Sequence, residues 1–389
     1  MKKKVLIVGG GFAGCAAARM LSDIKNLEIT LVEKNSFLGA GVRTFFYGGH
    51  PYTFGPRHFL TKNKKVYNYL NSIVPLRNCN FHEFLTYVEG DQNFYNFPLN
   101  YKDIDKMPDS KEVKKELSKK NFNKILKAKN LEDYWISSVG KRIYEKTIKK
   151  YNHKMWLVKD NKKIDTFNWS AKGATIQKGP RAAFYNVISA YPKSKEGYNG
   201  FFDDLLKVKK IKFFFNSSLR VKNLNQKKFI INGKIKSFDI VISSISPDFY
   251  LNYKFGELKF IGRDFHKIVL PVKNAFPKKV FFLYYANDEK FTRLVEYKKF
   301  TKHKSNSTLI GMEIPSLNGK HYPLPFKSEI LKANKYFNKL PKWFFSVGRA
   351  GTYRYLVDID DCIEQAMEIK NIILSNNYDG PIPLKKWIT

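Results

Sequence analysis

The chain has 389 residues, with 70 Lys and Arg against 34 Asp and Glu, a formal net charge of +36 at pH 7. That length supports a large core and more than one domain, and no apolar run is long enough to span a bilayer. The three cysteines, Cys15, Cys79 and Cys362, are too few and too scattered for a disulfide framework or a metal site.

The start Met1-Lys-Lys-Lys runs directly into core-strand sequence and does not read as a signal peptide, so a cytoplasmic protein is expected. The apolar run Val5–Val8 makes a buried parallel strand, and Gly9, Gly11 and Gly14 place a G-x-G-x-x-G turn at the head of a helix over Cys15–Leu21. Gly9 permits the tight turn, Gly11 admits a pyrophosphate to the helix N-terminus, and Gly14 lets helix and strand pack closely. The strand Leu27–Val32 then delivers Glu33 about 20 residues on, where an acid hydrogen-bonds a ribose 2′-hydroxyl. Strand, glycines, helix, strand and acid in register indicate a bound adenine dinucleotide.

Residues 41–100, rich in Gly, Pro and aromatics, read as loops around a cofactor. Lys111–Lys127 and Leu131–Lys150 carry helical spacing, with the basic stretch Lys114–Lys129 as a solvated face. Residues 156–200 lack clear periodicity and are expected to be irregular. Strands are expected at Ile211–Phe215, Phe229–Ile231, Ile240–Ser243, Lys279–Tyr285 and Thr308–Met312. A last strand, Phe344–Val347, leads through Gly348-Arg-Ala-Gly351 into a helix near Asp358. In FAD proteins such a C-terminal strand, glycine turn and acid-capped helix close over the ribityl and pyrophosphate, so FAD is favoured over a nicotinamide cofactor. The expected fold is α/β (α+β overall): a Rossmann-like FAD-binding domain built from both chain ends, with an inserted helical domain and an inserted antiparallel β-sheet domain. The corresponding boundaries are 1–100 and 336–389 for the FAD-binding parts, 101–200 for the helical substrate domain with a mobile loop, and 201–335 for the sheet domain.

Several segments resemble the UDP-galactopyranose mutases. Phe54-Gly-Pro-Arg-His-Phe-Leu-Thr61 is similar to that family's Y-G-x-H-x-F-H-T, and Asn96-Phe-Pro-Leu-Asn100 to its N-L-P-F-N. Tyr151-Asn-His-Lys-Met-Trp156 resembles Y-T-x-K-x-W, and Phe291-Thr-Arg293-Leu-Val-Glu resembles y-T-R-x-x-E. Glu313-Ile-Pro315, His321-Tyr322-Pro323 and Gly348-Arg349-Ala-Gly-Thr-Tyr353-Arg-Tyr355 resemble E-Y-P, Y-Y-P and G-R-x-x-x-Y-K-Y. These motifs run from residue 5 to about 375 in the family's order. The resemblance implies an intramolecular transferase that interconverts pyranose and furanose forms of a nucleotide sugar such as UDP-galactopyranose, for polysaccharide biosynthesis. Reduced FAD would be the cofactor, its N5 acting as nucleophile on the anomeric carbon. It implies Arg293, Arg181, Tyr322 and Tyr355 as the diphosphate-stabilising catalytic set, and Tyr151, Trp156, Asn96, Arg263 and Arg57 as substrate-binding residues. Gly9, Gly11, Phe12, Ala13, Gly14, Glu33, Lys34, Gly39, Gly41, Gly55, Arg349, Tyr355 and Asp358 would contact FAD.

The residue types agree with those roles, because a diphosphate is best met by the planar, bidentate donors of arginine. The plainer alternative for Arg293 is an ion pair with Glu296, and for Tyr151 and Trp156 plain core packing. The family's two histidines fall on Arg57 and Leu60 here, with His50 and His58 out of register. The partner expected is a nucleotide-sugar substrate, UDP-linked in the first instance, with a homodimer left open. An FAD-dependent amine oxidase or desaturase shares the two-ended FAD domain and is the alternative function. No nucleic-acid-binding signature accompanies the dispersed lysines, so their excess reads as compositional bias.

Overall fold

The computed structural model describes residues 2–79, 81–120, 122–167, 175–184 and 186–382. Its first layer is a five-stranded parallel sheet in the order Ile211–Phe214, Leu27–Val32, Lys3–Val8, Ile240–Ser243 and Phe344–Ser346. Val5 to Val8 are all buried, as expected of a parallel strand covered on both faces. The helix Phe12–Ser22 crosses one face, packed against the C-terminal helix Ile359–Ser375. Both chain ends therefore enter one unit. Ile211–Phe214 and Ile240–Ser243, assigned from sequence to the antiparallel domain, instead pair in parallel with the N-terminal strands. Short apolar runs carry no mark of their partner, so only the tertiary register separates the two placements.

The second sheet has seven strands in the order Tyr322–Pro323, Phe260–Leu270, Thr308–Ser316, Arg293–Glu296, Val280–Tyr285, Glu83–Val88 and Asn93–Asn96. Every pairing is antiparallel except Val280–Tyr285 against Glu83–Val88, which runs parallel. Glu83–Val88 and Asn93–Asn96 come from the stretch read as cofactor loops, and the eleven-residue strand Phe260–Leu270 has no counterpart in the sequence reading.

The helical insertion is broken more finely than periodicity suggested. Ser110–Ser118, Phe122–Leu126 and Leu131–Val139 are followed by a turn at Gly140. A short helix Lys141–Tyr144 then widens into a π-helical turn, Glu145–Lys149, before Lys150–Trp156. Gly140 has φ +87° and a Cβ there would lie 2.6 Å from Glu116 Oε2, so the chain must break at this point. Leu131, Trp135, Ile148 and Trp156 share a core cluster with Ile261 of the sheet and with Leu324 just after its edge strand, which seats the helices over its end. Of the stretch read as irregular, residues 168–174 and 185 lie outside the described residues.

Candidate active site

Between the helices, the seven-stranded sheet and the C-terminal helix lies a cavity of about 550 Å³. Eight residues expected at the site line it: Gly55, Arg57, Tyr151, Arg293, Tyr322, Arg349, Tyr355 and Asp358. Thr147 and Ile148 of the π-helical turn also face it, the kind of helical irregularity that recurs at functional sites.

Arginines dominate its polar wall. Arg293 stands opposite Glu313 in the sheet register, and its Nε and Nη2 donate to the two Glu313 oxygens at 3.0 and 2.6 Å. This is a bidentate fork, the geometry in which a guanidinium holds its direction best. The ion pair with Glu296 does not form, because residues three apart on a strand point to opposite faces. Glu296 is instead buried against Lys299, Thr308 and the Ala275 and Phe276 amides. Arg349, from the turn after Phe344–Ser346, donates to Asp358 Oδ1 at 2.5 Å and to the Val357 carbonyl at 3.1 Å. Asp358 in turn caps the helix Ile359–Ser375 through a capping box.

These groups converge on Tyr322. The Arg263 guanidinium lies 4.6 Å and that of Arg349 5.0 Å from the Tyr322 ring centre, with the Tyr355 ring at 5.5 Å. Burial alone would raise the Tyr322 phenol, but the charges of Arg57, Arg263, Arg293 and Arg349 outweigh it and hold the phenol below the usual tyrosine range. Tyr355 has fewer cations around it, and burial pushes its phenol up. Burial and the charges of Arg57, Arg263 and Arg349 push His321 down to about 4, so its imidazole is neutral at pH 7. The Glu313 carboxyl, against the effect of its own burial, is held low by Arg293, Arg263 and Arg57. Sequence reasoning missed Tyr284, whose ring carries the Arg293 guanidinium at 5.8 Å and the Tyr151 ring at 5.3 Å. Only the strand pairing Tyr284↔Arg293 brings them together.

The remaining expected substrate residues sit elsewhere or behind the wall. Trp156 is buried, edge-on beneath Tyr355 at 5.2 Å, and so supports the wall from behind. Arg263 bonds the Gly262 carbonyl at 2.7 Å and contacts the Met155 sulfur. Arg181 forms ion pairs with the buried Asp103 and with Glu83, and Asn96 donates to the Arg181 carbonyl at 3.2 Å. Neither Arg181 nor Asn96 is part of the cavity wall. His58, out of register in sequence, packs among Phe184, Phe282, Phe300 and His82.

The glycine turn stands at the C-terminal edge of the parallel sheet. A Cβ on Gly14 would lie 2.0 Å from the Gly9 carbonyl oxygen, so only glycine lets this helix meet its strand. A Cβ on Gly11 would meet nothing closer than Ala40 at 3.8 Å, and no side chain caps the helix Phe12–Ser22. The turn therefore leaves an open approach to a bare helix N-terminus, the setting that receives a pyrophosphate. Glu33 accepts from the Gly10 amide at 2.6 Å and from the Asn35 amide and side chain, both at 2.8 Å. Gly39 bridges to Gly11, Phe12 stacks on Phe201, Ala13 lies under Gly348, Gly41 faces Arg57, and Lys34 is exposed.

Fold and site together define a protein with a Rossmann-like dinucleotide-binding domain beside an arginine-lined cavity; residues 7–73 match an NAD(P)-binding Rossmann-like domain. The chain belongs to the UDP-galactopyranose mutase family, whose profile matches residues 146–355. It is 25% identical to a dTDP-fucopyranose mutase of Escherichia coli over 97% of this chain and 100% of that one. It is 23% identical to a probable UDP-galactopyranose mutase of Klebsiella pneumoniae over 96% and 95%. Among solved structures it is similar to a reduced UDP-galactopyranose mutase, with a TM-score of 0.77 at 17% identity and 96% coverage of each chain. It is also similar to a putative protoporphyrinogen oxidase from Exiguobacterium, with a TM-score of 0.70 at 14% identity over 97% and 100%. The fold is thus shared by a mutase and an oxidase, and the family profile is what separates them. Among the described residues no helix is long and apolar enough to cross a membrane.

Proposed function

We propose that this protein interconverts the pyranose and furanose forms of a nucleoside-diphosphate sugar, with reduced FAD held between the glycine turn and the C-terminal helix. The observation that carries this reading is that the guanidiniums of Arg57, Arg293 and Arg349 and the phenols of Tyr322 and Tyr355 line one cavity, with the Arg263 guanidinium against the Tyr322 ring. When bound, reduced FAD supplies a nucleophilic nitrogen for the anomeric carbon. The chain's own task is to place the sugar and to hold the diphosphate while its bond to the sugar is broken and remade.

Arg57, Arg263, Arg293 and Arg349 surround that diphosphate, with Tyr322 and Tyr355 donating from their hydroxyls. Tyr151 and Tyr284 form the aromatic wall along which the nucleotide sugar lies, with Trp156 backing Tyr355. Gly9, Gly11 and Gly14 cradle the FAD pyrophosphate, Glu33 faces the ribose, and Gly39, Gly41, Gly55 and Asp358 border the flavin end. Arg181 and Asn96, being engaged with Asp103 and Glu83, brace the cavity from outside. The relatives' names carry both uridine and thymidine nucleotides, so either carrier suits the site. A cytoplasmic setting, where nucleotide sugars are made, fits the same reading.

The test incubates dithionite-reduced, FAD-loaded protein with UDP-, GDP- and dTDP-sugars and separates the products by chromatography. A furanose product formed without oxygen uptake is expected. Absence of furanose from every sugar, together with oxygen-consuming oxidation of an amine, would establish the oxidase alternative.

A further inference from the structure

A second concavity, of about 450 Å³, shares no lining residue with the first. Lys278, Lys298, Lys299 and Lys302 line it, with Phe276 and His303. Three segments far apart in the chain are stitched together around it. Lys298 joins the helix Tyr297–Thr301 to the loop 271–279, its Nζ donating to the Lys273 and Ser305 carbonyls at 2.8 and 2.6 Å. Buried Lys299 donates to the Phe276 and Pro277 carbonyls at 2.9 and 3.2 Å, and its partner Glu296 accepts from the Ala275 and Phe276 amides. The hairpin of Phe45–Tyr47 and His50–Tyr52 completes the face. There His50 bonds the Ser307 hydroxyl at 3.0 Å, and its ring lies 5.1 Å from that of His303. Lys267 holds its Nζ 5.5 Å from the ring centres of both Tyr47 and Tyr52.

Residues 44–52, 265–279 and 297–307 together hold eight lysines and no Asp or Glu. At the chain-wide ratio of 70 Lys and Arg to 34 Asp and Glu, about four acids would accompany eight lysines. The local surplus therefore exceeds the general bias of the chain. Glu296, which pairs with Lys299, is fully buried, and none of the other seven lysines pairs with a carboxylate among the described residues. Partial burial and neighbouring cations push the Lys298 and Lys302 ammoniums down, a cost that a seated anion would relieve. Apolar side chains stand among these charges: Phe46 is 44%, Tyr47 47% and Val272 44% exposed. Lysines around exposed aromatic and aliphatic side chains suit the headgroup layer of an anionic bilayer. A nucleic acid calls for bare ring faces on which its bases stack, whereas Tyr47 already carries Lys267 and Val272 has no ring.

We propose that this face docks the protein on membranes rich in anionic phospholipid, with the lysine-lined concavity seating a headgroup phosphate and Phe46, Tyr47 and Val272 entering the interfacial layer. Docking is peripheral and reversible, because the attraction fades within a Debye length and the inserted apolar area is small. The loop 271–279 is already pinned by Lys298, Lys299 and Glu296, so little ordering cost attends binding. None of these residues lines the first cavity, so the inference stands apart from the sugar chemistry proposed there.

Co-sedimentation of the FAD holoenzyme with lipid vesicles tests it. At about 0.1 M salt, vesicles of phosphatidylcholine with about one-third phosphatidylglycerol should bind the protein, and phosphatidylcholine alone should not. K278Q/K302Q/K304Q should weaken partitioning about tenfold or more. K222Q/K228Q/K234Q removes the same charge from the separate three-stranded sheet Leu219–Asn223, Lys228–Ile231 and Lys234–Ser237, and should weaken it less than about threefold. F46S/V272S should lower partitioning several-fold while leaving its salt dependence unchanged. Unaltered flavin absorbance shows that each variant is folded. Equal losses in the two triple variants would assign the binding to whole-molecule charge and overturn the proposal. Retention by poly(U) RNA without retention by either vesicle would assign the face to nucleic acid and overturn it as well.

Discussion

Two clusters of arginine and carboxylate lie within this fold, and they differ in balance. In the first, one arginine, Arg181, meets two carboxylates, Asp103 and Glu83, and the Asp103 side chain is only 1% exposed. The Asn96 backbone amide adds a hydrogen bond to Asp103 Oδ2 at 2.8 Å. In the second, Arg57, Lys62, Arg293 and Arg349 line a cavity of about 550 Å³, where Arg293 is paired with Glu313 and Arg349 with Asp358. An arginine aligned with a ligand-binding position is thus a brace or a ligand group according to the charges around it. The surplus in the second cluster has no carboxylate partner among the described residues, and on the proposed reading an anionic ligand completes it.

The largest expected effect breaks the Arg181 cluster. Arg181→Ala leaves Asp103 buried and uncompensated, and should cost about 3 kcal/mol of stability, at the lower end for a buried pair because Arg181 is partly exposed. Denaturant unfolding measures it, and UDP affinity of the folded variant should stay within about threefold. A large loss of affinity with unchanged stability would instead make Arg181 a ligand residue.

A smaller effect tests the surplus through Tyr322. Its phenol is held below the usual range, so the neutral donor is lost as pH rises through the lowered value, earlier than for an unperturbed tyrosine. UDP affinity should therefore fall on the alkaline side at a pH below about 10, where an unperturbed tyrosine would still be protonated. Tyr322→Phe should abolish that alkaline limb and weaken neutral-pH binding about tenfold, as expected for one hydrogen bond to a charged group. An unchanged limb in the variant would move the titration to another residue.

The smallest effect is that of salt. Binding driven by a charge surplus should weaken by a few-fold between about 0.05 and 0.5 M ionic strength, as the Debye length shortens. The contribution of the Arg181 cluster to unfolding stability should scarcely change over the same range, since buried pairs are screened little.

The sequence alone determined the parts whose physics is local. A four-residue apolar strand, three glycines at fixed spacing and an acid after the next strand act within one β-α-β unit, and the parallel sheet and open helix N-terminus appear there. The helix starting at Asp358 was legible for the same reason, since a capping box spans only four residues. The order of motifs from Phe54 to Tyr355 sufficed for the family. What only the tertiary structure decided concerns pairs of residues distant in the chain. Arg293 finds Glu313 through strand register, not Glu296 three residues away. Ile211–Phe214 and Ile240–Ser243 join the parallel sheet because their partners lie about two hundred residues upstream. Arg181 becomes a brace because Asp103 and Glu83 are brought beneath it. Charge balance depends on all such neighbours at once, so spacing in one sequence names the arginines and the fold assigns their work.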